Sequence, residues 1–246
     1  MKLLYSTGRI LNTEFYGQDS KILFENNLKK MPTDWIWRHT ALKYTVNSQG
    51  YRCPEFETID WNNSILMLGC SFTFGVGLDD SQICSKHLYD LIQIPVVNLG
   101  QGGSSVMFQW ANTCRLIENN INPKCVIYFW PDATRTIEFK DEPDVFHHGN
   151  WSLPNSRWAE SWIIHPTHSV EFLRYAKISV SHMWNCPVLH YTTTRYDFKK
   201  INLKFLPRVP GDHARDWNSE LSSAHPGPET NRRWAEIIAQ DIGNVA

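Results

Sequence analysis

The chain has 246 residues, of which 42% are hydrophobic and 13% aromatic, a composition typical of one large globular domain with a real core. Lysine and arginine number 24 against 25 aspartate and glutamate, so the net charge of -1 argues against nucleic acid or an anionic membrane surface as partner. We therefore expect a small or neutral partner. The six cysteines lack CxxC spacing, which argues against a zinc site or a dense disulfide framework and predicts reduced, mostly buried thiols.

The N-terminal segment "MKLLYSTGRILNTEFYG" lacks the apolar core of a signal peptide. No other stretch approaches the roughly 20 apolar residues of a membrane span. These features predict a cytoplasmic protein that does not contact a membrane. Residues 1–60 are irregular and aromatic, so we expect an extension that packs on the main domain without a core of its own.

Residues 61–246 alternate between short apolar runs and segments of helical periodicity, which predicts one α/β domain. The apolar runs suit parallel strands covered on both faces, and they lie at 64–69, 94–100, 124–130 and 186–194. The helical patterns lie at 81–92, 104–119, 168–184 and 228–241. This order predicts a doubly wound, mainly parallel sheet between two layers of helices. The loops that begin at Gly69, Gly100 and Trp130 should then converge at the ligand crevice.

A segment at about 133–167 is too long for a simple connection and is rich in aromatic residues. It predicts either a lid that shapes the pocket or an insertion that merely packs, and the pattern does not separate the two. His147, His148 and the "HPTH" at 165–168 lack a third ligand with suitable spacing, so they are predicted as surface or lid histidines. We expect neither a metal nor a cofactor.

Ser71 follows the first predicted strand in the turn "GCSFTFG", at 69–75. A serine there can face the crevice as a nucleophile for acyl transfer, but it can also simply cap a helix. Cys70 is a second possible nucleophile. Because neighbouring side chains point in different directions, Cys70 is predicted to pack inward if Ser71 faces the crevice.

Two further loops carry candidate residues. In "NLGQGGSS" (98–105), Gly103 can offer its N–H to an oxyanion, or it can belong to an ordinary tight turn. In "HPGP" (225–228), His225 precedes the last predicted helix, where an imidazole can act as general base or be a bystander.

Taken together, the loops resemble the SGNH, or GDSL, hydrolase family over roughly residues 45–241. "LGCSFTFGVG", "NLGQGGSS", and "ARD" followed by "HPGP" are similar to its sequence blocks, and "YTVNSQGYR" (44–52) is similar to the lead-in of many members. The resemblance implies a flavodoxin-like α/β/α fold with Ser71 as nucleophile and His225 as base. It also implies that Asp216 orients His225 and that the N–H groups of Ser71 and Gly103 form the oxyanion hole.

The chain departs from the family pattern at three places. Cys70 replaces the usual aspartate of the first block, and Pro131 stands where the family has an asparagine that donates to the oxyanion. Thr134 or Arg135 is a candidate replacement for that donor. The departure around the histidine leaves three readings open. The position three before His225 is a serine, Ser222, so the supporting carboxylate is Asp216, Glu220 or none at all.

The expected function is hydrolysis of an ester or acetyl group on a small molecule or carbohydrate. Aromatic faces stack on sugar rings, and several of the 11 tryptophans fall in predicted loops, which favours acetylated sugars. The alternative is a binding or structural module that kept the fold and lost the chemistry, as the replaced asparagine and displaced aspartate suggest.

Overall fold

In the part of the chain that the structure describes, the fold is built around a five-stranded, all-parallel sheet. The computed structural model describes residues 3–6, 21–40, 42, 44–140, 144–149, 166–194, 201–215 and 225–245. Within these ranges, no helix is long and apolar enough to cross a membrane. The three-layer α/β/α architecture predicted from the sequence is confirmed.

The strands of the sheet lie in the order β2-β1-β3-β6-β7. Their bounds are β1 Ile65–Gly69, β2 Val96–Gly100, β3 Cys125–Trp130, β6 Val188–Thr192 and β7 Lys204–Phe205. The chain winds outward from β1 to β2 and then returns to β3 on the other side, so the order reverses between β1 and β3. In open sheets of this kind, the ligand crevice lies beyond the carboxyl ends of the strands at that reversal.

Helices cover both faces of the sheet. Their bounds are α1 Lys21–Lys30, α2 Ser71–Phe74, α3 Cys84–Ile92, α4 Val106–Glu118, α5 Pro166–Met183 and α6 Pro228–Val245. The alternation of buried residues along β1 explains the two layers. Leu66 and Leu68 join a core with α4 and α5, whereas Ile65 and Met67 join a second core with α3 and α6.

The N-terminal residues contribute to the same cores as the rest of the chain. Tyr51 packs in the core beneath α4 and α5, and Trp37 and Tyr44 form a further cluster with Phe74 of α2 and with residues of the loop that follows α2. Helix α1 lies within residues 1–60, which we expected to be irregular. Its two lysines in the last turn complement the negative end of the helix dipole.

The segment after β3 begins with an antiparallel hairpin made of β4, Thr136–Phe139, and β5, Val145–His148. His147 is buried and its ring meets that of Phe108 in α4 edge to face at 4.8 Å. His148 is also buried and lies 3.1 Å from the Glu138 carboxylate. These two were predicted as surface or lid histidines, and the surface alternative is wrong, because the hairpin packs against α4. Most of the remaining predicted lid, at 141–143 and 150–165, lies outside the described residues.

Candidate active site

The turn after β1 presents Ser71 at the reversal of strand order. Cys70 has an extended backbone and precedes Ser71, the first residue of the short helix α2. The turn requires glycine at position 69, because a Cβ there would lie 1.8 Å from the Thr73 hydroxyl oxygen. Cys70 is 6% exposed, so its thiol is buried. Ser71 is 9% exposed, so a nucleophile here would be shielded from bulk water.

Arg52 holds the far end of this turn. Its guanidinium donates hydrogen bonds to the carbonyl oxygens of Phe74, Gly75 and Leu78, at 3.1, 2.8 and 2.8 Å. It also forms an ion pair with Asp80 at 2.6 Å. Burial lowers the pKa of Arg52, and the Asp80 carboxylate opposes that shift. The arginine of the "NSQGYR" segment thus clamps the backbone that follows Ser71.

The loop after β2 begins beside the loop after β1. The N–H of Gln101 donates to the carbonyl of Gly69 at 3.1 Å, and the Gln101 side chain donates to Gly50 at 2.7 Å. Gly103 has a φ of +78°, a backbone conformation that favours glycine. Ser105 then caps α4, since its hydroxyl accepts the N–H of Phe108 at 3.1 Å.

Asn98 and Gly100 join the end of β2 to α2. The Asn98 amide donates to the carbonyl of Thr73 at 2.8 Å and accepts the N–H of Gly100 at 3.0 Å. A Cβ on Gly100 would lie 2.4 Å from the backbone nitrogen of Phe74. The first and second loops are therefore packed backbone against backbone, which fixes their relative positions.

The loop after β3 offers no side-chain donor at its first residue, because that residue is Pro131. Asp132 organises the turn, and its carboxylate accepts both the N–H and the hydroxyl of Thr134, at 2.9 and 2.6 Å. The Thr134 hydroxyl is thus already committed to Asp132. The N–H of Arg135 donates to the Asp132 carbonyl, which completes the turn.

His225 lies in a loop whose backbone pairs with residues 213–214. Its carbonyl accepts the N–H of Ala214 at 3.0 Å, and a β-bridge links His213 with Pro226. His225 is 4% exposed. The N–H of Arg215 in turn donates to the carbonyl of Gly77 at 3.1 Å, so this segment is attached to the loop after α2.

Two polar side chains fix the loop that carries His225. Asn231 donates to the carbonyls of Pro226 and Gly227 and accepts the N–H of Cys84 at 3.0 Å, so it ties the loop to the start of α3. The Asp212 carboxylate accepts the N–H of Thr230 at 2.6 Å in the first turn of α6. A Cβ on Gly227 would lie 2.3 Å from that carboxylate, so only glycine fits there.

Phe72 brings the serine and the histidine into one neighbourhood. It directly follows Ser71, and its ring meets the His225 ring edge to face at a centroid distance of 5.2 Å. The Ser71 hydroxyl does not hydrogen-bond to His225 in this structure. Unliganded catalytic sites are often looser than the reacting complex, so this geometry is compatible with a serine–histidine pair.

The two candidate supporting carboxylates, Asp216 and Glu220, lie outside the described residues, as does Ser222. Over the part of the chain that is described, no group of three or more His, Cys, Asp or Glu side chains is placed to hold a metal ion. All six cysteines are free.

Sequence reasoning missed the residues that fix the loops, which are Arg52, Asn98, Asp212 and Asn231. Arg52 and Asn98 lie inside the segments "NSQGYR" and "NLGQGGSS", which the sequence analysis had already named. A polar residue next to a glycine turn was therefore the pattern that could have identified them. The other two carry no local pattern that shows their role, because Asp212 accepts an N–H 18 positions away and Asn231 accepts one 147 positions away.

Solved structures of esterases resemble this chain. An acetyl xylan esterase, Est2A, from the rumen bacterium Butyrivibrio proteoclasticus is 12% identical over 74% of this chain and 64% of its own, with a TM-score of 0.45. A carbohydrate esterase family 2 enzyme with a carbohydrate binding domain, from Corynascus thermopiles (Myceliophthora fergusii), is 10% identical over 74% of this chain and 66% of its own, with a TM-score of 0.47. The chain thus spans slightly less than two thirds of these two proteins.

A member of the lipolytic G-D-S-L family from Veillonella parvula is 13% identical over 74% of this chain and 99% of its own, with a TM-score of 0.46. No family profile and no curated protein sequence matches the chain.

The described tryptophans belong mainly to the core. Four are buried, namely Trp37, Trp130, Trp184 and Trp234, and three are half-buried, namely Trp35, Trp61 and Trp110. The predicted role of tryptophans as a sugar-stacking surface rests on the other four, Trp151, Trp158, Trp162 and Trp217, which lie outside the described residues.

Proposed function

We propose that the chain is a serine hydrolase that cleaves esters, with Ser71 as nucleophile and His225 as general base. The observation that carries this proposal is the contact between His225 and Phe72, the residue next to Ser71. The two candidates lie 154 positions apart in the sequence, yet His225 contacts the residue that follows Ser71, at the turn after β1. In this class of sheet, ligands bind at the reversal of strand order, here between β1 and β3.

The proposed reaction has two steps. The Ser71 hydroxyl oxygen attacks the ester carbonyl while His225 accepts its proton, and His225 then returns that proton to the oxygen of the leaving alcohol. Water next attacks the acyl-serine with His225 again as base, which releases the acid and restores the serine.

Two backbone N–H groups would hold the negative oxygen that forms during attack. Within the described ranges, the N–H groups of Ser71 and Gly103 donate to no other group, so both remain available for this role. Each such donor contributes on the order of 10²-fold or more to the rate of acyl transfer. Pro131 cannot supply a third donor, so we expect a slower enzyme than one with three donors.

Asp216 is the proposed support for His225. It follows directly on Arg215, and the residue before that, Ala214, is hydrogen-bonded to the His225 backbone. A carboxylate that accepts the imidazole N–H fixes the tautomer and stabilises the imidazolium formed during attack. Glu220, or a dyad without any carboxylate, is the alternative arrangement.

The substrate class proposed from the sequence is an acetylated small molecule or carbohydrate. Two solved structures that resemble this chain are described as an acetyl xylan esterase and a carbohydrate esterase, at 12% and 10% identity. A second candidate function is binding without turnover. It is favoured by Pro131 and by the missing Ser71–His225 hydrogen bond.

Kinetics on 4-nitrophenyl acetate distinguish the two functions. Ser71→Ala and His225→Ala should each lower kcat/KM by at least about 10³-fold, and the double variant should be little worse than either, because the two act as one unit. Matched controls are Ser81→Ala and His182→Ala, whose side chains are exposed. Near wild-type turnover in Ser71→Ala would refute the assignment, and no turnover in the wild type would favour the binding function.

A further inference from the structure

Phe72 belongs to the same turn as the candidate nucleophile, since it directly follows Ser71 in α2. The N–H of Phe74 donates to the carbonyl of Cys70 at 2.9 Å, and the N–H of Gly75 donates to the carbonyl of Ser71 at 3.0 Å. These bonds enclose the backbone of Phe72, so only its side-chain torsions remain free. The turn that places the serine therefore also places this ring.

The ring of Phe72 is confined by its neighbours. It is half-buried and packs against the core formed with α3 and α6. The central guanidinium carbon of Arg208 lies over the ring, 4.5 Å from its centroid. The ring also meets the imidazole of His225, at a centroid distance of 5.2 Å and an interplanar angle of 82°. This is the edge-to-face arrangement that aromatic rings prefer, at centroid distances of about 4.5 to 7 Å.

The backbone of His225 is fixed, but the backbone alone does not orient the imidazole. The His225 carbonyl accepts the N–H of Ala214 at 3.0 Å, and the next two carbonyls accept the amide of Asn231. These bonds set the position of the Cα atom and leave the side-chain torsions undetermined. A general base needs its ring nitrogen within about 3.2 Å of the proton's donor, so side-chain contacts have to hold the ring. The Phe72 ring supplies one such contact.

We propose that Phe72 is a positioning residue, which orients the imidazole of His225 towards Ser71 through the edge-to-face contact of the two rings. This inference rests on the proposed function and adds a residue that acts through the base and not on the substrate. Because Ser71 and Phe72 are consecutive, a movement of the turn displaces the nucleophile and the orienting ring together. The base then stays aligned with the nucleophile.

Kinetics on 4-nitrophenyl acetate test the role of the ring. Phe72→Leu keeps an apolar side chain but loses the ring, so kcat should fall about 10-fold, the factor expected for a lost aromatic pair, while KM changes less. Phe72→Tyr keeps the ring and should retain most of kcat. The matched control is Phe146→Leu, because Phe146 also packs on a histidine ring, that of His148 at 4.9 Å, but in the β4–β5 hairpin. It should leave kcat unchanged.

The His225→Ala background separates positioning from support of the fold. Labelling of Ser71 with a fluorophosphonate should be slowed about 10-fold by Phe72→Leu when His225 is present, and hardly at all in His225→Ala. An equal loss with and without His225 would reveal a merely structural ring and overturn the proposal. Phe72→Met, which also lacks a ring, takes the place of Phe72→Leu if circular dichroism shows that the latter does not fold.

Proton NMR reads the ring contact without catalysis. An aromatic ring shifts the resonances of protons close to it, and the ring protons of His225 are assigned by their loss in His225→Ala. In Phe72→Leu they should move towards the positions of a histidine without an aromatic neighbour, whereas Phe146→Leu should not move them. Unmoved resonances in an enzyme that turns over would overturn the role of Phe72 alone. Moved resonances in a wild type without turnover would overturn the proposed function, and with it the catalytic purpose of the contact.

Discussion

Replacing Arg52 with methionine should lower the activity of the candidate site, although Arg52 is not one of the proposed catalytic residues. Methionine fills much of the volume of the arginine stem but donates nothing to the carbonyls of Phe74, Gly75 and Leu78. These carbonyls end the turn that begins with Ser71. We therefore expect the turn to relax, so that the serine hydroxyl and the backbone N–H groups lose their relative positions.

The size of the effect follows from the contacts. Removing one partner of a buried ion pair costs about 3 to 5 kcal/mol, and each buried carbonyl left without a donor costs about 1 to 3 kcal/mol. The Asp80 side chain is 38% exposed, so the pair is not fully buried and its loss costs only about 1 kcal/mol, to which the three carbonyls add about 1 kcal/mol each. We expect a loss of about 4 kcal/mol in the free energy of unfolding. For a chain of this size, that corresponds to a fall in Tm of about 8 °C.

The assay combines thermal unfolding with kinetics on 4-nitrophenyl acetate. A misplacement of about 1 Å can cost 10²-fold in turnover, so kcat should fall by about that factor while KM changes less. Arg38→Met is the matched control, because Arg38 also donates to three carbonyls, those of Leu28, Met31 and Pro32, but beside α1. It should lower Tm and leave kcat intact. An Arg52→Met protein with unchanged kcat would refute the reasoning.

Three further predictions concern the loops and the core. Gly100→Ala should lower the free energy of unfolding by about 3 kcal/mol and remove most of the activity, since the new Cβ would lie 2.4 Å from a backbone atom. The control Gly243→Ala, where the Cβ meets open space, should be neutral or stabilising. Urea unfolding measures both changes. Burial lowers the pKa of His190 to about 3, below the roughly 6.5 of a histidine in the unfolded chain. Between these two pH values the unfolded state binds a proton that the folded state does not. The free energy of unfolding therefore falls as the pH drops from about 6.5 towards 3. His190→Gln should weaken that dependence, and equal urea midpoint shifts in both proteins between pH 7 and 5 would contradict it. Asp216→Asn should lower kcat by roughly 10² to 10⁴ while Glu220→Gln has a minor effect, and the reverse order would move the supporting role to Glu220.

The sheet and its helices could be predicted because their signals are local. Continuous apolar runs specify strands buried on both faces, and β1 to β3 lie within two residues of the predicted positions. The position of the candidate site then followed from the topology. Helix α1 could not be predicted in this way, because its sequence lacks a clear apolar stripe.

The candidate site was only partly predictable. Ser71 and His225 could be named because each lies in a distinctive glycine-containing turn, and the resemblance to a family implied one site for both. The stabilising contacts of Arg52 and Asn231 could not be predicted, since these side chains bind backbone groups 22 to 26 and 147 positions away in sequence. The buried position of His147 was missed for the same reason, because the contact with α4 is tertiary.

Labelling with a fluorophosphonate tests the central claim most directly, because the probe reacts with an activated serine whatever the natural substrate is. Intact-mass and peptide analysis should find one adduct on Ser71 in the wild type. The adduct should be absent from Ser71→Ala and should form at least about 10²-fold more slowly in His225→Ala, which lacks the base. A wild type that stays unlabelled, or an adduct on any other residue, would contradict the assignment of Ser71 and His225 as a catalytic pair.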